Sequence, residues 1–210
     1  MAHRAWPAKV CAAIHAVALT CWIGLLIAAG VAAAGAFATL PDLGVSLRGY
    51  EGFATGDPAD HGRLAAGKML EAVFSAIDFA QIPLAVIAIV AFAMQIILSG
   101  DSWRRPTHTI RLLCMLIAAG LLAGHVSFVA PPMNRELQAY WSAAEAGNNT
   151  LALAHRAAFD EYHPRAEQIL QVNLLLLFTA AGAAGVSCVA NRSSSESHIL
   201  ETPLLARRRA

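Results

Sequence analysis

Residues 10–40 read VCAAIHAVALTCWIGLLIAAGVAAAGAFATL and form the longest stretch of the chain without an Asp, Glu, Lys or Arg. A helix rises about 1.5 Å per residue and the hydrocarbon core of a bilayer is roughly 30 Å thick, so this stretch can cross a membrane once with some tilt. Inside lipid, each backbone N–H and C=O must find a partner within the segment, which favours a helix. The stretch therefore predicts a transmembrane helix.

Three further apolar stretches follow the first, and charged segments separate them. Together they predict four membrane spans, at about residues 10–40, 69–98, 110–133 and 166–190. Hydrophobic residues make up 57% of the 210-residue chain and charged residues 14%, which is typical of a membrane domain rather than a soluble globule. We therefore expect an all-α integral membrane protein, an antiparallel four-helix bundle over residues 10–190, with the lipid bilayer as its surroundings.

The segments outside the bundle decide its predicted orientation, because basic residues close to span ends stay in the cytoplasm. Nine Lys and Arg side chains fall on the side of the two termini and six on the other side. We expect a cytoplasmic lead at residues 1–9, a disordered cytoplasmic tail at residues 191–210, and an outer face that carries the glycosylation sequon at Asn148. The net charge of +1 gives no reason to expect nucleic acid as a partner.

The second long connection, residues 134–165, carries apolar side chains at helical spacing. They predict a short amphipathic helix that includes Leu137, Tyr140, Trp141 and Ala144. Because Tyr and Trp favour the headgroup layer, we expect this helix to lie on the outer membrane surface.

Small residues in the third span give a candidate packing surface. Helices in lipid associate where small side chains let their backbones approach closely, and Gly120 and Gly124 lie one turn apart. They predict a helix–helix contact, unless they only reflect the high Ala and Gly content of the chain.

Polar side chains inside the spans are the candidate functional residues, because ionisable groups are costly in hydrocarbon. By the helix rise, Asp78 and His125 each lie roughly 12–13 Å from the outer ends of their spans, so we expect them to meet in an outward-open polar pocket. A carboxylate with an imidazole can relay a proton or hold a soft cation; alternatively, these groups only satisfy one another by hydrogen bonding. The candidate pocket residues are Glu71, Asp78, His125, Glu167, Gln171 and Asn173.

His15 lies closer to the cytoplasmic end of the bundle than the pocket does. A haem held between His15 and His125 needs ligands at comparable depth, and the helix rise separates these two by about 9 Å. The sequence therefore favours a hydrogen bond at a helix seam for His15 over a haem ligand.

Three cysteines fall near the inner ends of spans, at Cys11, Cys114 and Cys188. Thiolates bind copper(I), but cysteine is also a common small apolar filler in helices.

The chain has no phosphate-binding glycine loop, HExxH or GxSxG motif. We therefore expect a protein that is not an enzyme and holds no cofactor, with haem or copper as alternatives.

Two short motifs resemble one family of membrane proteins. His15-x6-Trp22-x-Gly24 resembles the first span of the transmembrane protein 205-like family, four-span proteins classed as a domain of unknown function. Phe159-Asp-Glu-Tyr162-His163 is similar to the segment that leads into the last span of that family, and Pro131-Pro132-Met133-Asn134 is similar to the proline-bearing end of its third span. The stretch after His163 lacks the serine that the family commonly carries there.

The resemblance implies a small multi-pass membrane protein of poorly defined role, with solute or metal handling, membrane trafficking or drug resistance as the expected functions. The H-x6-W-x-G opening also resembles copper-resistance and protoporphyrinogen-oxidising membrane proteins, which implies a haem- or metal-binding redox protein as the alternative. A third reading is a structural subunit that forms a homo-oligomer or joins a larger membrane complex.

Overall fold

The computed structural model describes the backbone of residues 2–53 and 56–207, and the side chains of residues 6–53 and 56–186. The described part is all-α, which confirms the predicted fold class. In chain order its elements are α1 (Ala2–Thr39), α2 (Asp60–Ser99), α3 (Pro106–Gly124), a π-helical turn (His125–Val129), α4 (Ala130–Glu145) and α5 (Asn149–Arg207).

Four helical rods are long and apolar enough to cross a membrane: Trp6–Thr39, Asp60–Ser99, Pro106–Glu145 and Asn149–Val186. The third rod is α3, the π-turn and α4 in one continuous run. The rods extend beyond the predicted spans, most of all at the start of α5 and at the end of the third rod. The predicted membrane limits stay predictions, and the predicted tail begins beyond the last described side chain.

The outer surface of the bundle is more apolar than a soluble protein allows. Phe79 and Phe128 are each 79% exposed, and Val17, Val31 and Leu175 are exposed as well. A soluble monomer seldom leaves such a large apolar surface in contact with water. The surface is suited to acyl chains, as expected of an integral membrane protein.

Alanine forms the seams between the helices. Four alanines are completely buried: Ala66 and Ala88 at two levels of α2, Ala118 on α3 and Ala180 on α5. Small side chains let helix backbones approach closely, which drives helix association in lipid. Within the described residues, the predicted glycines make no such contact, because a Cβ added to Gly120 or Gly124 would meet nothing within 4 Å.

One glycine does permit a close approach, at the start of α2. A Cβ on Gly62 would collide with the backbone of Leu40 and Pro41, just after the end of α1. The sequence pattern gave no reason to single out this residue, because the contact depends on how the loop after α1 returns to α2.

The end of the bundle that holds residues 40–53, residues 56–59 and α4, which we call the cap end, has its own aromatic core. This cap cluster consists of Tyr50, Phe53, Leu64, Tyr140, Trp141, Ala143, Ala144 and Ala152. The predicted amphipathic helix is present as α4. Its aromatic residues differ from the expectation: Tyr140 and Trp141 are buried in the cap cluster rather than exposed to headgroups, because the loop after α1 folds over them.

Ion pairs close the cap end beside this cluster. The buried Asp60 lies 3.0 Å from Arg63 and 3.1 Å from Arg156, which joins the starts of α2 and α5. Asp57 also pairs with Arg63, and the hydrogen bond from that guanidinium holds the pKa of the Asp57 carboxyl below its usual value. A buried carboxylate paired with partly exposed guanidinium groups ties helix ends together when both partners are present.

Candidate functional site

A chain of polar contacts crosses three of the four rods. The Trp22 indole N–H donates to Gln81 Oε1 at 3.0 Å, and Gln81 Nε2 donates to Asp78 Oδ1 at 3.4 Å. Asp78 Oδ2 lies 3.5 Å from His125 Nε2. We call Trp22, Gln81, Asp78 and His125 the polar chain. It brings Asp78 and His125 together, as the sequence predicts.

Each member of the polar chain is placed by its helix. Asp78 and Gln81 are three residues apart on α2, so they share a face and lie one turn from each other. His125 begins the π-turn, in which the N–H of Ala130 bonds to the His125 carbonyl five residues back. Two prolines follow at residues 131–132, and the wider turn accommodates residues that lack an N–H.

The exposure of the side chains increases along the polar chain, from Trp22 and Gln81 to Asp78. Trp22 and Gln81 are fully buried, whereas the side chain of His125 is 7% exposed and that of Asp78 is 27% exposed. The carboxylate is therefore the member that a proton or a small ligand reaches first. The indole and the amide behind it fix its orientation.

Buried polar atoms without a partner lie at the same level. His125 Nδ1 and Asn173 Oδ1 are both buried and have no hydrogen-bond partner among the described residues. The α5 side chains that flank Asn173, Leu170 and Leu174, pack in the same apolar cluster as Trp22. An unpaired buried polar atom costs about 1–3 kcal/mol, so a ligand or water that bonds these atoms is favoured.

The other predicted pocket residues lie elsewhere. Glu71 accepts a hydrogen bond from Gln138 of α4, and Glu167 pairs with His163 at 3.1 Å on the surface. Glu167 and Gln171 are exposed, and the structure does not bring them to Asp78 and His125. The reason is helical phase: Asn173 is two residues beyond Gln171, about 200° around the helix, so only Asn173 turns inward.

The motif residues of the first span have clear structural roles. Trp22 belongs to the polar chain, and the buried His15 Nδ1 lies 2.8 Å from the Ala88 carbonyl. That contact confirms the predicted hydrogen bond at a helix seam. Gly24 is exposed, with nothing within 4 Å of an added Cβ.

The motif residues before the last span form a surface group. The rings of Phe159 and His163 stack with centroids 5.1 Å apart, and Tyr162 is half-buried. His163 also reaches Glu167, so this group is held on the outside of α5.

The two histidines considered for haem lie on different levels. His15 contacts Ala88, which is ten residues beyond the Asp78 that contacts His125, a rise of about 15 Å along α2. The arrangement gives no support to one haem ligated by both. Within the described side chains, no group of three His, Cys, Asp or Glu is placed to hold a metal ion, and Cys188 lies outside them.

A second polar site lies at the opposite end of the bundle from the cap, which we call the terminal end. A cavity of about 320 Å³ opens there between α1 and α5. Its polar lining residues are His15, Thr20, Gln95, Asp101, His108 and Arg111. Sequence reasoning missed this cavity, because Arg111 lies near the start of the third span and is one of the nine basic side chains that decide the predicted orientation. The signal that could have found the cavity is a basic residue more than one turn inside a helix.

The fold and the polar interior define the class of this chain: a small all-α protein with four membrane-length helices. No family model, curated protein or solved structure matches the chain.

Proposed function

We propose that this chain is a small multi-pass membrane protein that handles a polar solute or cation, with Asp78 and His125 as its titratable element. The observation that carries the proposal is their 3.5 Å contact inside a bundle whose surface is apolar. Ionisable groups within membrane helices are rare and often mark ion or proton pathways, and histidine changes its charge near neutral pH.

The polar chain supports a simple proton-linked cycle. A cation or a proton that binds Oδ2 of the Asp78 carboxylate competes with His125 for that oxygen atom. The state of the imidazole then depends on whether the carboxylate is occupied, which links the binding of solute to the movement of a proton. Gln81 and Trp22 hold the carboxylate in place while its partner changes.

The orientation belongs to the same proposal. With both termini in the cytoplasm, as the distribution of basic residues favours, Asp78 lies in the outer half of the membrane. Membership of the transmembrane protein 205-like family is likewise proposed. The buried, hydrogen-bonded positions of His15 and Trp22 support it, because both residues of that motif have a structural role.

Proton uptake by proteoliposomes tests the proposal. The full chain is reconstituted with a trapped pH dye, and copper, zinc or a small organic cation is added outside. We expect a protein-dependent change of internal pH with at least one of these solutes. Asp78→Asn and His125→Gln should abolish that change while the thermal unfolding of the protein stays close to that of the wild type.

The matched control is Glu71→Gln. Glu71 is a carboxylate on the same helix, but it pairs with Gln138 outside the polar chain, so its loss should leave the proton signal intact. The absence of any protein-dependent signal, or an unchanged signal in Asp78→Asn, would contradict the proposal.

A further inference from the structure

Two polar atoms in the wall of the terminal-end cavity have no hydrogen-bond partner among the described residues. They are His15 Nε2 and Gln95 Oε1, and both atoms are buried. The whole His15 side chain is only 2% exposed. The Ala88 carbonyl can only accept, so His15 Nδ1 carries the proton, and Nε2 of the neutral imidazole presents a lone pair. A ligand that donates a hydrogen bond to His15 is therefore favoured, because an unpaired buried acceptor is costly.

A hydroxyl group matches both of these atoms. It donates one hydrogen bond and also accepts, so it pairs with the lone pair of His15 Nε2 and with either end of the Gln95 carboxamide, which can turn about its last bond. Two neighbouring hydroxyl groups satisfy both side chains together. An ester or ether oxygen only accepts and would leave His15 unpaired, so the wall favours a diol.

The rest of the wall is largely apolar and reaches the lipid-facing surface of the bundle. Ala16 and Leu19 line the cavity from α1, and Ala181 and Ala184 line it from α5. Ala16 is exposed on the surface that is suited to acyl chains. A cavity that opens between two lipid-facing helices favours a ligand with an acyl chain over a soluble diol.

The depth of His15 favours an uncharged ligand. By the helix rise, His15 lies about 8 Å beyond Val10, where the first predicted span begins. Charged groups are costly at such a depth and stay in the interfacial layer. The glycerol esters and acyl chains that an ordinary diacyl phospholipid brings to this depth contain no hydrogen-bond donor, so such a lipid cannot satisfy His15.

We propose that the terminal-end cavity binds an uncharged single-chain lipid with two free hydroxyl groups, of the monoacylglycerol kind. One hydroxyl donates to His15 Nε2, the other pairs with the Gln95 carboxamide, and the acyl chain leaves between α1 and α5. A volume of about 320 Å³ lies at the small end of the range of about 300–1,000 Å³ that holds small ligands, which suits a glycerol head. Neither the charge of Arg111 nor any residue of the polar chain takes part, so the inference goes beyond the proposed function.

Native mass spectrometry of the full chain tests the proposal with two lipids that differ only at the hydroxyl groups. The detergent-purified protein is titrated with 1-monooleoylglycerol and with 1-oleoyl-2,3-diacetylglycerol, in which acetyl esters replace both hydroxyls. We expect the diacetyl lipid to bind roughly tenfold more weakly, because it has no donor for His15 or Gln95. Equal binding of the two lipids would overturn the proposal, since it would mean that water alone satisfies the wall.

Free glycerol distinguishes a lipid site from a site for soluble polyols. It carries the same hydroxyl groups without an acyl chain, and we expect it not to displace bound 1-monooleoylglycerol at equal concentration. Displacement at equal concentration would overturn the assignment to lipid.

Two variants assign the preference to the cavity. His15→Asn keeps an N–H near the position of Nδ1 for the Ala88 carbonyl but removes the Nε2 acceptor, and Gln95→Leu removes the carboxamide at similar volume. Each variant should reduce the tenfold preference for the free hydroxyl groups to about threefold, because one of two hydrogen bonds remains. An unchanged preference in Gln95→Leu would overturn the proposal, even if His15→Asn does not fold.

The matched controls are His163→Asn and Gln171→Leu. Both replace exposed side chains of α5 that do not line the cavity, with the same changes of residue type. They should keep the full tenfold preference. A loss of preference in these controls as large as in His15→Asn and Gln95→Leu would overturn the assignment to the cavity.

Discussion

The cap end and the helix seams are held together by different means. The cap cluster uses large aromatic side chains beside the ion pairs of Asp60, as the core of a soluble protein does. The seams combine buried alanines and a few hydrogen bonds with buried large residues such as Phe92, Met115 and Leu177, while many other large apolar residues face outward. The difference follows from the solvent, because lipid gives no hydrophobic reward for burying a large apolar side chain.

Trp141→Ala should give the largest loss of stability and separate the two regions most clearly. Trp141 is buried in the cap cluster, and truncation of a buried Trp costs about 3–5 kcal/mol in free energy of unfolding. Thermal or denaturant unfolding in detergent micelles measures the loss. Trp6→Ala is the control, because Trp6 is 72% exposed and should change stability little. Similar losses in both variants would refute the idea of a separate aromatic core at the cap end.

Gly62→Ala should cost less, about 1–3 kcal/mol, because the added methyl group collides with the backbone of Leu40 and Pro41. The same substitution at Gly120 meets open space and should leave the unfolding midpoint unchanged or slightly higher. The comparison requires the unfolding midpoints of Gly62→Ala, Gly120→Ala and the wild type, all measured in the same detergent. A larger loss at Gly120 would indicate that this surface packs against a second chain rather than against lipid.

Trp22→Phe tests the seam through its hydrogen bond. The substitution keeps an aromatic ring but leaves the buried Gln81 Oε1 without the indole donor, at a cost of about 1–2 kcal/mol. The free energy of unfolding is measured for Trp22→Phe and for the control Trp6→Phe, and the loss in the first should exceed that in the second. Gln81→Leu combined with Trp22→Phe should cost less than the sum of the two single substitutions, because no polar atom of the pair is then left unpaired.

The smallest effect is expected from pH at the surface of the cap end. The hydrogen bond from Arg63 lowers the pKa of Asp57 in the folded protein from its ordinary value of 3.8. A lowered folded pKa means that the contribution is present above the ordinary value and is lost as the pH falls below it. Asp57→Asn should therefore unfold at a slightly lower temperature than the wild type at pH 7, and the gap should narrow in acid. A gap that widens in acid would contradict this sign.

The sequence was sufficient for the features that depend on hydropathy and helical depth. It predicted the four helices, the helix around Tyr140, the contact of Asp78 with His125, and the hydrogen-bonded His15, all of which the structure contains. Each follows from counting residues along a helix that has to cross a layer of known thickness.

The features that depend on rotation between helices were not predictable in this way. Glu167 and Gln171 are four residues apart and share a face of α5, but no local pattern shows which face meets the bundle. The same limit applies to the cap cluster and to the terminal cavity, where Gln95 and Arg111 come from different rods. The burial of Tyr140 depends on a loop that is more than 80 residues earlier in the chain, because Tyr50 and Phe53 lie in that loop.

The π-turn sets the rotation of α4 about the helix axis relative to α3. It accommodates one more residue than an α-helical turn, so the extra residue is absorbed within His125–Val129. If the same residues formed a regular α-helix, α4 would be rotated by about 100° relative to α3. Tyr140 and Trp141 would then leave the aromatic core of the cap end. One wide turn at the level of His125 thus determines which side of a distant segment faces inward.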